Sequence, residues 1–222
     1  MSPFTILRLD ASARISRSLS RGLADEFVRG WGRRRPDDRV LLRDVGIAPP
    51  PPISEPWIGA AFTPEAQRTE RQRALLSLSD ELIEELRQAD LLLIATPMYN
   101  YGMPAALKAW VDQVVRVHET FTFDLGRGDW PIEPVLEGKT LVLLTSSGEF
   151  GFAPGGVRAE LDHLTPHLRT CSRYLGVAET HRVAIEYQEF GDERHRRSVE
   201  EARAEVGRLV EHLSRCVTSD AA

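Results

Sequence analysis

Four serines and two arginines stand together in Asp10-Ala11-Ser12-Ala13-Arg14-Ile15-Ser16-Arg17-Ser18-Leu19-Ser20, directly ahead of a stretch with helical periodicity. Hydroxyls and free backbone N–H groups at a helix N-terminus can surround a phosphate, and the helix dipole favours its negative charge. Arg14 or Arg17 would add a charge-assisted contact. The segment lacks Walker glycines with a Lys-Ser/Thr pair and lacks GxGxxG, so it reads as a phosphate cradle without NTPase or dinucleotide-fold signatures. The competing reading is a helix cap in a solvated loop. A second segment, Ala95-Thr96-Pro97-Met98-Tyr99-Asn100-Tyr101-Gly102-Met103-Pro104, is a stiff turn able to press backbone and ring surface against a flat ligand. Asn100 offers both donors and acceptors to a heteroaromatic edge. A third, Thr145-Ser146-Ser147-Gly148-Glu149-Phe150-Gly151, is built of small residues that let backbone amides approach a ligand. Together the three describe one site with a phosphate at one end and a planar ring at the other.

The elements that must position these segments follow from the apolar pattern. Thr5-Ile6-Leu7-Arg8-Leu9 reads as a first strand, and Leu19, Leu23, Phe27 and Trp31 recur every four residues, as on one helix face. Val40-Leu41-Leu42 is a second strand. Residues 48–56, with prolines at 49–52, are expected to be an extended connection. Thr63-Pro64-Glu65 has the chemistry of a helix start, and the helix is expected to continue to about Gln88. Leu91-Leu92-Leu93-Ile94-Ala95 and Leu141-Val142-Leu143-Leu144 show no polar alternation, as strands covered on both faces do. Leu107, Trp110, Val111, Val114 and Val115 are spaced as a helix. Leu161, Leu164, Leu168 and Leu175 suggest a fourth, closed by Gly176. Arg182-Val183-Ala184-Ile185 is a last strand, followed by a helix from about Asp192 to Leu213 and a tail expected to fray from residue 218. Five strand–helix alternations predict a single α/β domain over 1–222. Its parallel sheet has helices on both faces and a flavodoxin-like topology, with the ligand crevice beyond the strands' carboxyl ends.

The chain has 222 residues, 42% of them hydrophobic and 27% charged, and a net charge of −5 that argues against a general nucleic-acid binder. Two cysteines without CxxC or Cys/His spacing fit a reducing compartment and offer neither a disulfide nor a zinc framework. His163 and His167 stand four apart, but no carboxylate or cysteine has convincing spacing to join them, so no metal site is assigned. Neither a signal sequence nor a membrane span is expected, and the reading is a cytoplasmic protein.

The motif Pro97-Met98-Tyr99-Asn100-Tyr101, with Pro104, Leu107, Lys108 and Asp112 after it, resembles the FMN-dependent NADH azoreductases and, more broadly, the flavodoxin-like NAD(P)H quinone reductases. Ser12 with Ser18-Leu19-Ser20 is similar to their phosphate loop. Ser79-Asp80-Glu81-Leu82-Ile83 and Gly138-Lys139 also agree, and the resemblance runs from about residue 6 to residue 176. It implies that Ser12, Ser18, Leu19 and Ser20 hold the FMN phosphate. Pro97, Met98, Tyr99, Asn100 and Tyr101 would contact the isoalloxazine and ribityl chain, with Ser146, Ser147, Gly148 and Glu149 at the ring's other edge. It further implies ping-pong two-electron transfer from NADH or NADPH to quinones and azo compounds, with no protein nucleophile or base, in a homodimer whose sites lie at the interface. Phe121, Phe123, Tyr174, Trp57 and Phe62 are candidates for that interface, and Phe123 and Tyr174 for the substrate lining. The family commonly has Ser-Arg-Gly-Gly where this chain has Ser146-Ser147-Gly148-Glu149, and residues 125–134 also differ. An acid at 149 predicts a preference for NADH over NADPH, unless Arg14 or Arg17 neutralises it. The rival readings are a flavodoxin-type electron carrier serving protein partners and a flavin- or nucleotide-binding sensor.

Overall fold

The computed structural model describes residues 3–219. Five parallel strands form one sheet: β1 (Thr5–Asp10), β2 (Arg39–Asp44), β3 (Leu91–Pro97), β6 (Lys139–Ser146) and β7 (Val177–Ile185), in the order β2-β1-β3-β6-β7. All seven residues of β3 are buried, as expected for the middle strand of a sheet covered on both faces. On one face α1 (Leu19–Arg34) and α6 (Glu193–Ser219) pack Leu23, Phe27, Trp31, Val206 and Val210 against Ile6, Leu93 and Val142. On the other, α3 (Glu70–Gln88), α4 (Ala105–Val114) and α5 (Thr165–Ser172) enclose Leu7, Leu9, Leu92 and Leu143. The four-residue recurrence in α1 serves this burial directly: Trp31 stacks on Phe27 at 5.8 Å and on Phe4 at 5.3 Å, and its Nε1 donates to Asp38.

Several local expectations are corrected. The proline run is extended, but it ends at Ser54, whose side chain caps a short helix α2 (Glu55–Phe62). Pro56 sits in the first turn of α2, where its missing N–H costs nothing. Thr63-Pro64-Glu65 starts only a single 3-10 turn at Glu65–Gln67, and α3 begins instead behind Thr69. That residue forms a complete capping box with Gln72, which satisfies two otherwise orphaned donors and outweighs the Pro-Glu signal. The fourth helix is not continuous over 161–175. It is a 3-10 turn at Ala159–Leu161, then α5, then a second turn at Arg173–Leu175, closed by Gly176 at φ 81°. Residues 125–134 lie largely within a two-stranded antiparallel hairpin, β4 (Phe121–Phe123) with β5 (Ile132–Pro134), that three-residue strands hid from any periodicity reading. α6 continues past Leu213 to Ser219, and the tail beyond it lies outside the described residues.

Candidate active site

The strand order reverses between β1 and β3, so the loops leaving their carboxyl ends diverge and leave a crevice there. The loop after β1 enters α1 through Ser18, whose hydroxyl accepts from the Arg21 N–H at 3.5 Å. Within the loop the Ser12 hydroxyl accepts from the Arg14 N–H at 3.2 Å, and Arg17 adopts a left-handed φ of 59°. A left-handed residue beside a right-handed one is the combination from which anion nests are built.

After β3, the Met98 N–H still donates to the Ser146 carbonyl at 2.8 Å, and the chain then reverses tightly. Tyr99 and Gly102 exchange both backbone hydrogen bonds, at 3.1 and 3.0 Å, with Asn100 at φ 48° and Tyr101 at φ 64° between them. Asparagine tolerates this conformation, but tyrosine does so at a cost of about 1–2 kcal/mol. The surroundings hold it in place. The Tyr101 carbonyl accepts from the His163 N–H at 2.9 Å, its phenol donates to Glu149 Oε2 at 3.0 Å, and its ring lies 6.3 Å from Phe152. Strain held in place by its surroundings in this way clusters at functional sites.

After β6, residues 147–149 are laced to the segment following β7. The N–H groups of Gln188, Glu189 and Tyr187 donate to the carbonyls of Ser147, Gly148 and Glu149 at 3.2, 3.1 and 3.1 Å. A Cβ at Gly148 would lie 2.6 Å from the Glu189 carboxyl carbon, so any side chain there would displace the exposed Glu189 side chain. The three loops enclose a cavity of about 600 Å³, a volume suited to a cofactor-sized ligand. Ser12, Arg14, Arg17 and Ser18 stand in its wall, as do Pro97, Met98, Tyr99, Asn100, Ser146 and Gly148. A neighbouring space of about 400 Å³ shares Met98, Asn100, Gly148 and Glu189 with it and adds Tyr101, Ser147, Glu149 and Phe152.

Residues 5–210 match the model of the family described as having a flavodoxin-like fold. The chain belongs to that family. A flavodoxin-like relative from Idiomarina loihiensis, an "FMN-dependent NADH:quinone oxidoreductase 2", is 51% identical over 96% of this chain and 92% of its own length. The "FMN-dependent NAD(P)H:quinone oxidoreductase 1" of Pseudomonas aeruginosa is 43% identical over 89% and 93%. Among solved structures, an FMN-dependent NADH-azoreductase from Bacillus anthracis in complex with FMN superposes with a TM-score of 0.83 over 95% of this chain and 99% of that one. At 16% identity, that likeness speaks for the fold alone.

In this flavodoxin-like chain most of the residues expected at the site converge on the two adjoining spaces. Ser20 does not line either one: it is fully buried, its Oγ 3.4 Å from that of Ser18. Phe123 lies on the hairpin, 52% exposed, and Tyr174 meets Phe121 edge-on at 5.6 Å; neither lines the two spaces. Trp57 is buried against Leu76 beneath α2, whereas Phe62 at the end of that helix is 69% exposed. Sequence reasoning missed Gln188 and Glu189 in the cavity wall, and Phe152. The first two follow a strand's carboxyl end, so the rule that located the other loops would also have found them.

It also missed Arg158. Glu149 is held between the Tyr101 hydroxyl and the Arg158 guanidinium, whose Nε stands 3.2 Å from Oε1. Neither Arg14 nor Arg17 offsets the Glu149 charge; Arg158 does. Its guanidinium also lies 4.5 Å from the Phe150 ring centre, and Phe150 stacks on Tyr187 at 4.4 Å, so the cation is fixed from two sides. The carboxylate accepting its hydrogen bond pushes the Tyr101 phenol above its usual pKa. Tyr101 therefore stays a neutral donor at physiological pH.

Proposed function

We propose that this protein is an FMN-dependent NAD(P)H:quinone oxidoreductase. The observation that carries this reading is a single cavity lined both by hydroxyls and arginines at the start of α1 and by residues 97–100 leading into the constrained turn. A flavin mononucleotide fits these residues: a terminal phosphate for Ser12, Ser18, Arg14 and Arg17, and a planar ring for Pro97, Met98, Tyr99, Asn100, Ser146 and Gly148. The bound flavin would supply the two-electron redox chemistry. The chain's own part is to hold and orient it. Leu19 supplies backbone at the phosphate end, and Asn100 presents amide donors and acceptors to the ring edge. Ser147, Glu149 and Tyr101 border the adjoining space, where nicotinamide nucleotide and acceptor enter in turn. The relatives' names support quinones as acceptors, and the resemblance carried by residues 97–101 supports azo compounds.

The purified protein is expected to be yellow, to release FMN and not FAD on denaturation, and to consume NADH with a simple quinone without any protein partner. Colourless protein that takes up no FMN removes the reading. Flavin without quinone turnover restores the electron-carrier alternative.

We also read the protein as a cytoplasmic homodimer. Phe123, Leu125 and Trp130 on the hairpin are 52%, 75% and 78% exposed, an apolar surface suited to a symmetric contact. A monomer mass in light scattering would sink that part. No helix among the described residues is long and apolar enough to cross a membrane.

The Glu149–Arg158 pair revises the nucleotide preference. With the carboxylate offset, NADH and NADPH should differ little. Glu149→Gly leaves Arg158 free at the mouth and should raise kcat/KM for NADPH over that for NADH by up to about fivefold, since charges at contact in water interact by roughly 1 kcal/mol. Steady-state kinetics with both nucleotides read this ratio. No change would mean that the pair lies off the nucleotide's path.

A further inference from the structure

Arg21 stands in the first turn of α1, 9% exposed and outside the cavity wall. All five guanidinium donors are used. Nη1 donates to Asp44 Oδ2 at 2.5 Å and to Asp10 Oδ2 at 3.2 Å. Nη2 donates to Asp44 Oδ1 at 2.8 Å and to the Ser12 carbonyl at 2.6 Å, and Nε to the Arg14 carbonyl at 3.0 Å. Two of the five bonds therefore capture carbonyl oxygens of the loop after β1. A carbonyl facing an anion repels it. With these two drawn back onto a cation, the loop is left to present hydroxyls and N–H groups to the cavity.

We infer that Arg21 is the positioning residue that sets the loop after β1 for a terminal phosphate, and so makes the cavity discriminate phosphorylated flavin from riboflavin. This rests on the flavin reading above. Two further features serve the same arrangement. Gly46 packs directly beneath the loop, where a Cβ would lie 2.1 Å from the Ser12 carbonyl oxygen, and its N–H donates to the Asp10 carbonyl at 3.1 Å. Arg8 holds Asp10 from the other side through both carboxylate oxygens, at 3.0 and 2.8 Å, and reaches Asp25 at 2.7 Å. Buried Arg21, half-buried Arg8 and their aspartates thus form one network tying β1, β2 and α1 to the loop. Burial opposes ionisation of Asp44, but the Arg21 hydrogen bonds and charge hold its carboxyl below the usual range, so this carboxylate stays charged at neutral pH.

The test compares FMN with riboflavin, which share a ring and differ in the phosphate, by fluorescence titration of the apoprotein. Arg21→Lys keeps a cation for Asp44 but cannot span both loop carbonyls. It is expected to weaken FMN binding by about tenfold or more, while riboflavin binding changes by less than about twofold. Gly46→Ala, which displaces the same carbonyl from the other side, should lower the FMN-to-riboflavin ratio likewise and serves if the lysine variant does not fold. A folded variant that binds both flavins with wild-type affinity overturns the inference, and so does an equal loss for both, since a purely structural role predicts that. Wild-type protein that binds FMN no more tightly than riboflavin is a different result: it removes the flavin-phosphate reading itself, and this inference with it.

Discussion

Replacing Ser12 and Ser18 together by alanine is expected to weaken FMN binding by about a hundredfold or more, because each hydroxyl lost from a charged group is worth roughly 1.5–3 kcal/mol. Both stand in the cavity wall, Ser12 just after β1 and Ser18 as the N-cap of α1. Ser18 is also the helix cap, so part of its loss will appear as a small drop in stability, about 1 kcal/mol for such caps. Separating the two contributions needs a thermal melt of the apoprotein beside the FMN titration. Ser20→Ala is the internal control. Its hydroxyl is buried behind Ser18, and its removal should cost markedly less affinity than either of the other two changes. Unchanged FMN affinity in the double variant would reduce the serines to caps and leave the phosphate end unassigned.

Trp110→Ala should be the most damaging single change to the fold. The indole is 1% exposed in α4 and packs within the core formed by α3, α4, α5 and the sheet. Its Nε1 has no hydrogen-bond partner among the described residues, so the loss is one of packing alone. Removing a buried tryptophan typically costs about 3–5 kcal/mol, a large part of the roughly 5–15 kcal/mol that holds a domain together. In a chain of this length that corresponds to a Tm lowered by about 6–20 °C. Because α4 follows directly on the 97–104 turn, flavin affinity should fall with it. A Tm within about 3 °C of wild type would mean that the core closes over the gap, contrary to the usual behaviour of close-packed interiors.

The sequence by itself determined the strand order in time and the chemistry at the strand ends. Continuous apolar runs such as 91–95 and 141–144 fit two-sided strands, and four-residue recurrences such as Leu23, Phe27 and Trp31 fit buried helix faces. With right-handed crossovers, that alternation leaves few topologies. It also brings Ser12, Ser18, Asn100 and Gly148 to one edge. Short elements were beyond it. The three-residue strands of the hairpin carry too few positions for a period of two to show. The choice of Thr69 over Thr63 as the cap of α3 turned on a reciprocal pair, the Thr69 N–H donating to the Gln72 side chain and the Gln72 N–H to the Thr69 hydroxyl.

Only the tertiary structure decided what each charge does. Glu149 looked like a bare carboxylate at the mouth, but residues 149 and 158 are brought together by a loop folded back on itself, with the Arg158 N–H donating to the Gly151 carbonyl at 2.9 Å. Arg21 looked like one more arginine on a helix, yet its guanidinium is buried against acceptors from residues 10, 12, 14 and 44. Local periodicity reports which face of an element is buried. Which ions meet is set by the packing of elements distant in the chain, and the electrostatic energy of a site depends on those distances.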